Sequence, residues 1–275
     1  MINKTGLLLT LLLLLQACSE PVADQPAAAV VPPAAEPAGV VAAAMLNSMG
    51  GKEALEAVQT LVLKGSGFRQ HLGQIAATGA TDPRGELLDL TETIDLLNGR
   101  AAFNNGIKIG EGFLQQRTEV LTTYKGQQLG WGTTQGRPNM VTSSNGLFSW
   151  ATHNSPEFLL RRNPITIALT STGLASDTLI EERVLDDVSY WYADTTLNDE
   201  HIGLYIDKES GLLHAYLALD TESMWGDTNS LYVLGDYRPV DNLVLPFTFE
   251  IRKDDGVYAS LQYDAISLND SAALD

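Results

Sequence analysis

From about residue 60 onward the chain is a succession of short segments with strand patterning. Residues 61–67 form an apolar run closed by glycines, and residues 87–94 alternate apolar with polar side chains. Residues 188–196 are β-branched and aromatic. Residues 202–206 and 212–219 flank a turn at 207–211 and predict a hairpin. Residues 230–237, 245–251 and 257–266 continue the series, the last two joined by a turn at 253–256. Helical spacing is confined to a few places. Residues 39–49 are Ala-rich and end at Gly50-Gly51, and residues 52–58 offer an amphipathic turn or two. Residues 155–175 read as helix, with a break or kink at Pro164. Many short strands with turn signals and few helices predict an α+β fold, an antiparallel sheet with helices packed on one face.

The N-terminal quarter has a different texture. Lys4 precedes a nine-residue apolar run, Leu7 to Leu15. A membrane-crossing helix needs about 20 residues, so this run reads as the core of a signal peptide. It ends Leu15-Gln16-Ala17-Cys18, which resembles the lipobox of bacterial lipoprotein precursors. The resemblance implies cleavage before Cys18 and acylation of that cysteine. Acyl chains contribute roughly 0.8 kcal/mol per buried methylene, and two or more give a stable anchor. Ser19 resembles the outer-membrane sorting class, with the body on the periplasmic side. Residues 19–44 hold five of the eleven prolines and no aromatic residue or positive charge, the composition of an extended tether. The chain thus divides into a signal peptide (1–17), an acylated cysteine with its tether (18–44) and one β-rich domain (45–275).

Composition narrows the function. The chain has 275 residues, a formal net charge of −17 and a single cysteine. One cysteine makes no intramolecular disulfide and no thiolate metal site. The negative charge argues against nucleic acid as a partner. The acid is concentrated: residues 176–275 carry five Lys/Arg against 21 Asp/Glu, while residues 45–175 carry eleven against ten. This reads as a solvated, repulsive face. The histidines, His71, His153, His201 and His214, have no metal-binding spacing. His214 alternates with Leu212 and Tyr216 and reads as a core or cavity-rim residue. No nucleophile elbow, dinucleotide fingerprint or phosphate loop occurs. The reading is therefore non-enzymatic, with no catalytic residue, metal or cofactor.

An aromatic and aliphatic set remains: Trp131, Phe148, Trp150, Leu159, Trp191, Tyr205 and Tyr216. It serves either as plain core or as the lining of a cavity between sheet and helices. Three stretches carry a family likeness. GGKEALEAVQTL (50–61) leads into the first strand, LYIDKESGLL (204–213) forms the hairpin, and GDYRPVDNLVLPF (235–247) precedes a closing strand that ends ISL (266–268). Together they resemble the LolA/LolB-like lipoprotein-carrier superfamily, and the domain preceding the catalytic module of some metallo-β-lactamase-fold hydrolases. The resemblance implies a half-barrel of antiparallel strands with helices on its concave face, enclosing an apolar cavity for acyl chains. It implies a membrane partner through the N-terminal acyl chains, and a lipid or other apolar ligand. The alternatives are a filled scaffold module with an envelope protein partner, or an accessory to a separate hydrolase. The hydrolase zinc motif H-x-H-x-D-H is absent from the sequence, as is a recognisable protruding apolar loop of the LolB type.

Overall fold

The computed structural model describes residues 37–70, 84–109, 113–124, 127–134, 137–141, 156–174, 178–197, 199–222, 226–253 and 256–270. The first element is helix α1 (Ala38–Ser48), in which Ala38, Val41, Ala42, Met45 and Leu46 are buried. The folded body therefore begins by Ala38, inside the stretch that composition assigns to the tether. Its Ala/Val side chains pack on the core, and that burial holds the helix. Helix α2 (Lys52–Glu56) follows and buries Leu55. The third helical stretch is divided, as Pro164 predicts, into α3 (Pro156–Arg161) and α4 (Pro164–Thr170). Proline is tolerated at the first position of α4 because the N–H it lacks would have no helical partner there.

Thirteen strands form one sheet among the described residues, and every pairing is antiparallel. They are β1 (Thr60–Gln70), β2 (Arg84–Asp95), β3 (Arg100–Ile109), β4 (Phe113–Tyr124), β5 (Gln127–Thr134), β6 (Arg137–Val141), β7 (Ile180–Leu185), β8 (Val188–Leu197), β9 (Glu200–Asp207), β10 (Leu213–Glu222), β11 (Gly226–Val240), β12 (Leu243–Lys253) and β13 (Gly256–Leu268). Two meanders, β1 to β6 and β7 to β13, are joined by the pairing of β1 with β13. The sheet is open and curved, a half-barrel, and the helices cover its concave face.

Curvature has local causes. Register shifts occur at Lys64/Gly65 against β13 and between Gly65 and Gly67 against β2. A Cβ on Gly65 would lie 2.1 Å from the Gln262 carbonyl oxygen. Glycine there lets β13 close on β1 where the strands bend. The predicted hairpin joins β9 and β10. Asp207 accepts hydrogen bonds from the Ser210 N–H (2.7 Å) and the Glu209 N–H (3.2 Å), and Gly211 takes φ +74°.

The core lies between the concave face and the helices. Leu61 and Leu63 of β1, Leu90 and Ile94 of β2, and Phe103 and Ile107 of β3 belong to it. So do Leu204, Tyr216, Tyr232, Phe249 and Leu261 from the second meander. Met45, Met49, Leu55, Phe158, Leu159, Ile165 and Ile167 come down from the helices. Each such side chain contributes about 1.5–3 kcal/mol on burial.

Candidate functional site: a cleft beneath helices α3 and α4

A cleft opens between α3–α4 and the middle of the sheet, with about 40 Å³ of free space. Its walls are mostly apolar: Leu61, Leu63, Ile94, Phe158, Leu159, Ile165, Leu245, Phe249 and Ile266. Pro164, Thr248 and Ile266 are its partly exposed members. The ionisable groups in its wall are Glu92, Arg162 and Tyr263. Glu92 stands between Leu90 and Ile94 on the inward face of β2, 1% exposed, opposite Leu63 of β1 and Phe103 of β3. The Tyr263 hydroxyl donates to Glu92 Oε2 at 2.8 Å. Burial, and next the carboxylate of Glu92, hold the Tyr263 hydroxyl well above its usual range, so it remains a donor.

The junction of α3 and α4 is tied down by two neighbouring residues. Asn163 caps α4, its Oδ1 accepting from the Thr166 N–H at 2.9 Å. Its Nδ2 donates back to the Leu159 carbonyl at 2.8 Å, so one side chain joins both helices. Arg162 reaches the sheet: Nε donates to Glu200 Oε2 and Nη1 to Asp220 Oδ1, each at 2.7 Å. Tyr232 donates to the other oxygen of Asp220, and the Tyr216 hydroxyl donates to the Arg162 carbonyl at 3.3 Å. Lys253 Nζ lies 3.9 Å from Asp220 Oδ2. Burial opposes the Arg162 charge, but the fields of Tyr232, Asp220 and Glu200 outweigh it, and the guanidinium is held above its ordinary range. The Tyr216 and Tyr232 rings stack at 4.6 Å, and Phe158 lies 5.2 Å from Tyr232.

The residues singled out from sequence fall in different places. Leu159 lines the cleft. Tyr216 is fully buried beside it, beneath the Arg162 carbonyl. Trp191 packs at the margin of the same core, farther along the sheet. Tyr205 lies on the opposite face, with ring contacts to Tyr190 and Tyr192. Trp131 is in β5, paired with Val120 and Met140. Phe148, Trp150, Cys18 and the lipobox residues Leu15, Gln16 and Ala17 lie outside the described residues. His214 departs from Tyr216's face, because a bulge between Leu213 and Ala215 interrupts the alternation, and it stacks on Tyr190 at 4.5 Å. His201 is on the surface, 3.1 Å from Asp194. Among the described residues no group of three or more His, Cys, Asp and Glu is placed to hold a metal ion.

Sequence reasoning missed Glu92, Tyr263, Arg162 and Asp220. Two of them left a signal. Glu92 is an acid on the apolar face of an alternating strand, in step with Leu90 and Ile94. Asp220 is likewise in step with Tyr216 and Ala218.

An open antiparallel sheet with helices across its concave face, and an apolar cleft between the two layers, defines the class: an α+β half-barrel. No family model and no curated protein sequence matches the chain. Among solved structures it is similar to a DUF1329 family protein from Desulfovibrio piger, with a TM-score of 0.49 and 7% identity over 86% of this chain and 95% of that one. It is also similar to a LolA superfamily protein from Nitrosomonas europaea, with a TM-score of 0.38 and 11% identity over 86% and 94% of the two chains.

Proposed function

We propose that this chain is a non-enzymatic envelope lipoprotein, anchored through an acylated Cys18 to the periplasmic face of the outer membrane. Its half-barrel holds an apolar ligand, a lipid acyl chain in the first instance. The observation that carries the binding part is the cleft beneath α3 and α4, whose walls come from Leu61, Leu63, Ile94, Phe158, Leu159, Phe249 and Ile266. Concave, mostly apolar sites with a few convergent polar groups are the usual form of a small-molecule site. What supports the anchor is the sequence Leu15-Gln16-Ala17-Cys18 directly after an apolar run.

The test is saturable binding. The full-length protein, extracted in mild detergent, is titrated with N-phenyl-1-naphthylamine and examined by native mass spectrometry for a retained lipid. Probe fluorescence that saturates and falls on adding a fatty acid or alcohol supports the reading. A protein that carries no lipid and takes up no probe refutes it. The Cys18→Ser variant is expected to leave the membrane fraction with its body folded; if it stayed there, the anchor would be wrong.

A second reading has its own observation. The free space of about 40 Å³ holds roughly three waters, at roughly 10–15 Å³ each, so a chain enters only as α3 and α4 shift outward. A scaffold module with a filled core would look the same at rest. It predicts no ligand, and an envelope protein recovered by crosslinking.

A further inference from the structure

We propose that the free edge of the sheet at β7 is a docking surface for a second copy of this chain. Two β7 strands pair antiparallel about a two-fold axis at Glu182 and make one continuous sheet. This interface is independent of the cleft and of what binds there.

Among the described residues β7 has one neighbour, β8, and it ends the row of strands. The two are joined by a two-residue turn, Asp186-Asp187, with both residues at positive φ. Leu185 and Val188 flank the turn, and in such a hairpin the flanking pair exchanges both backbone hydrogen bonds. Bonding then alternates, so Glu181 and Arg183 also bond to β8, while Ile180, Glu182 and Val184 turn their N–H and C=O groups to the free edge. An edge of this kind is a template for another strand. Its sequence selects which one. Residues 179–185, LIEERVL, have the same order of apolar and charged positions in both directions about Glu182. A two-fold axis there sets Leu179 opposite Leu185, Ile180 opposite Val184 and Glu181 opposite Arg183, each pair made twice. Residues directly opposite share a face, so the apolar pairs and the ion pairs can both form. Val184 and Leu179 are 69% and 62% exposed in the single chain, and this pairing covers them. The two Glu182 side chains meet at the axis, but each brings a cation, with Lys208 Nζ 2.6 Å from its carboxylate. An axis at Arg183 would instead set that arginine against itself, and Glu181 and Glu182 against Leu185 and Val184. Charge therefore favours the register at Glu182, with about six backbone hydrogen bonds across the edge.

The experiment traps the pair and then exchanges its charges, in the full-length protein in mild detergent. Glu182→Cys places two thiols at the axis, where Cα atoms of a hydrogen-bonded antiparallel pair stand about 5.5 Å apart, within reach of a disulfide. Mild oxidation should join the two copies, read on a non-reducing gel and by peptide mapping. The exposed Glu56→Cys of α2 reports chance encounters in the same detergent and should stay at least roughly tenfold slower, since it has no fixed partner within that reach. Cys18 is common to every variant and cancels in the comparison. Sedimentation then measures the dimer Kd. Glu181→Arg or Arg183→Glu alone sets like charges opposite each other at two symmetric places and should raise the Kd roughly tenfold. The double exchange restores opposite charges and should return the Kd to within about threefold of the unmodified protein. It also keeps the net charge of the single chain, which separates a lost contact between copies from a changed overall field. Trapping at Glu182 no faster than at Glu56, a monomer at every concentration, or a double exchange as weak as the single ones overturns the pairing.

Discussion

Asp220 and Glu92 are both buried carboxylates on the concave face, 0% and 1% exposed, and both lie under the same pair of helices. Their surroundings differ. Asp220 accepts from Arg162 and Tyr232 and has Lys253 Nζ 3.9 Å away, in a cluster that also includes Glu200 and the stacked rings of Tyr216 and Tyr232. Glu92 sits in a wall of Leu63, Leu90, Ile94 and Phe103 and accepts from Tyr263. Equal burial therefore does not mean equal duty. Around Asp220 charge is answered by charge, and the result is a joint that holds α3 and α4 to β9, β10 and β11. Glu92 lines the cleft among mostly apolar side chains. Replacing a buried charged group by an apolar one of similar volume is often close to neutral, whereas removing one partner of a buried pair is costly.

Substitution at the joint should have the largest effect. Asp220→Ala leaves the Arg162 guanidinium buried with one carboxylate fewer, which costs about 3–5 kcal/mol. Urea unfolding at pH 7 measures this. Arg162→Ala should cost a similar amount, and the double variant should cost much less than the two together, because both remove one interaction. A loss below about 1 kcal/mol in either single variant would place the pair with ordinary surface ion pairs and dissolve the contrast with Glu92. Asn163→Ala comes next, at about 1 kcal/mol, since it removes the α4 cap and the tie back to Leu159. Glu92→Leu should change stability by less than about 1 kcal/mol. It removes the desolvation of a buried carboxyl group and leaves its partners, the Tyr263 hydroxyl among them, to find others. If Glu92→Leu proved as damaging as Asp220→Ala, the two sites would have the same role.

The parts of the fold fixed by local chemistry could be read from the chain. The 207–211 turn needs an Asx carboxylate and a glycine at positive φ, and Asp207 and Gly211 stand where required. Pro164 divides α3 from α4 as its ring dictates. Strands β3 to β6 could not be read, because runs such as AAFNNGIKI and QQLGWGTT are rich in Gly, Asn, Gln and Thr and have weak alternation. Their pairing with neighbours decides them. The joint was illegible for another reason: Arg162, Glu200, Asp220, Tyr232 and Lys253 come from five separate places in the chain. Only the topology brings them together. Bulges defeat periodicity as well. Asp89, at φ 51°, lies where β2 shifts register against β3, and the shift beside His214 moves it away from Tyr216.

That displaced histidine supplies the finest test of how the two faces differ. Asp220 and His214 are on the same strand, but Asp220 works within a charged cluster on the inner face while His214 stacks on Tyr190 of the outer one. Burial is the main influence on His214 and pushes its pKa below the ordinary 6.5; Asp186 and Asp207 pull the other way without overcoming it. The folded state thus binds a proton on this ring less readily than the unfolded state does. Its contribution to stability is whole above pH 6.5 and is lost as pH falls from there through the folded-state value. Unfolding measured in urea between pH 7.5 and 5 should show the midpoint falling with pH. His214→Phe preserves a flat ring against Tyr190 and has nothing to protonate, so it should flatten the slope in that interval. Partial desolvation raises the Asp207 pKa, but the hydrogen bonds from Ser210 and Glu209 outweigh it and hold the carboxyl below its ordinary range, so its contribution is lost only in stronger acid, as pH falls below about 3.8. The two groups are therefore separable on one titration. A slope between pH 7.5 and 5 that survives His214→Phe would shift the source to another group and show that the outer-face stack carries no pH dependence of its own.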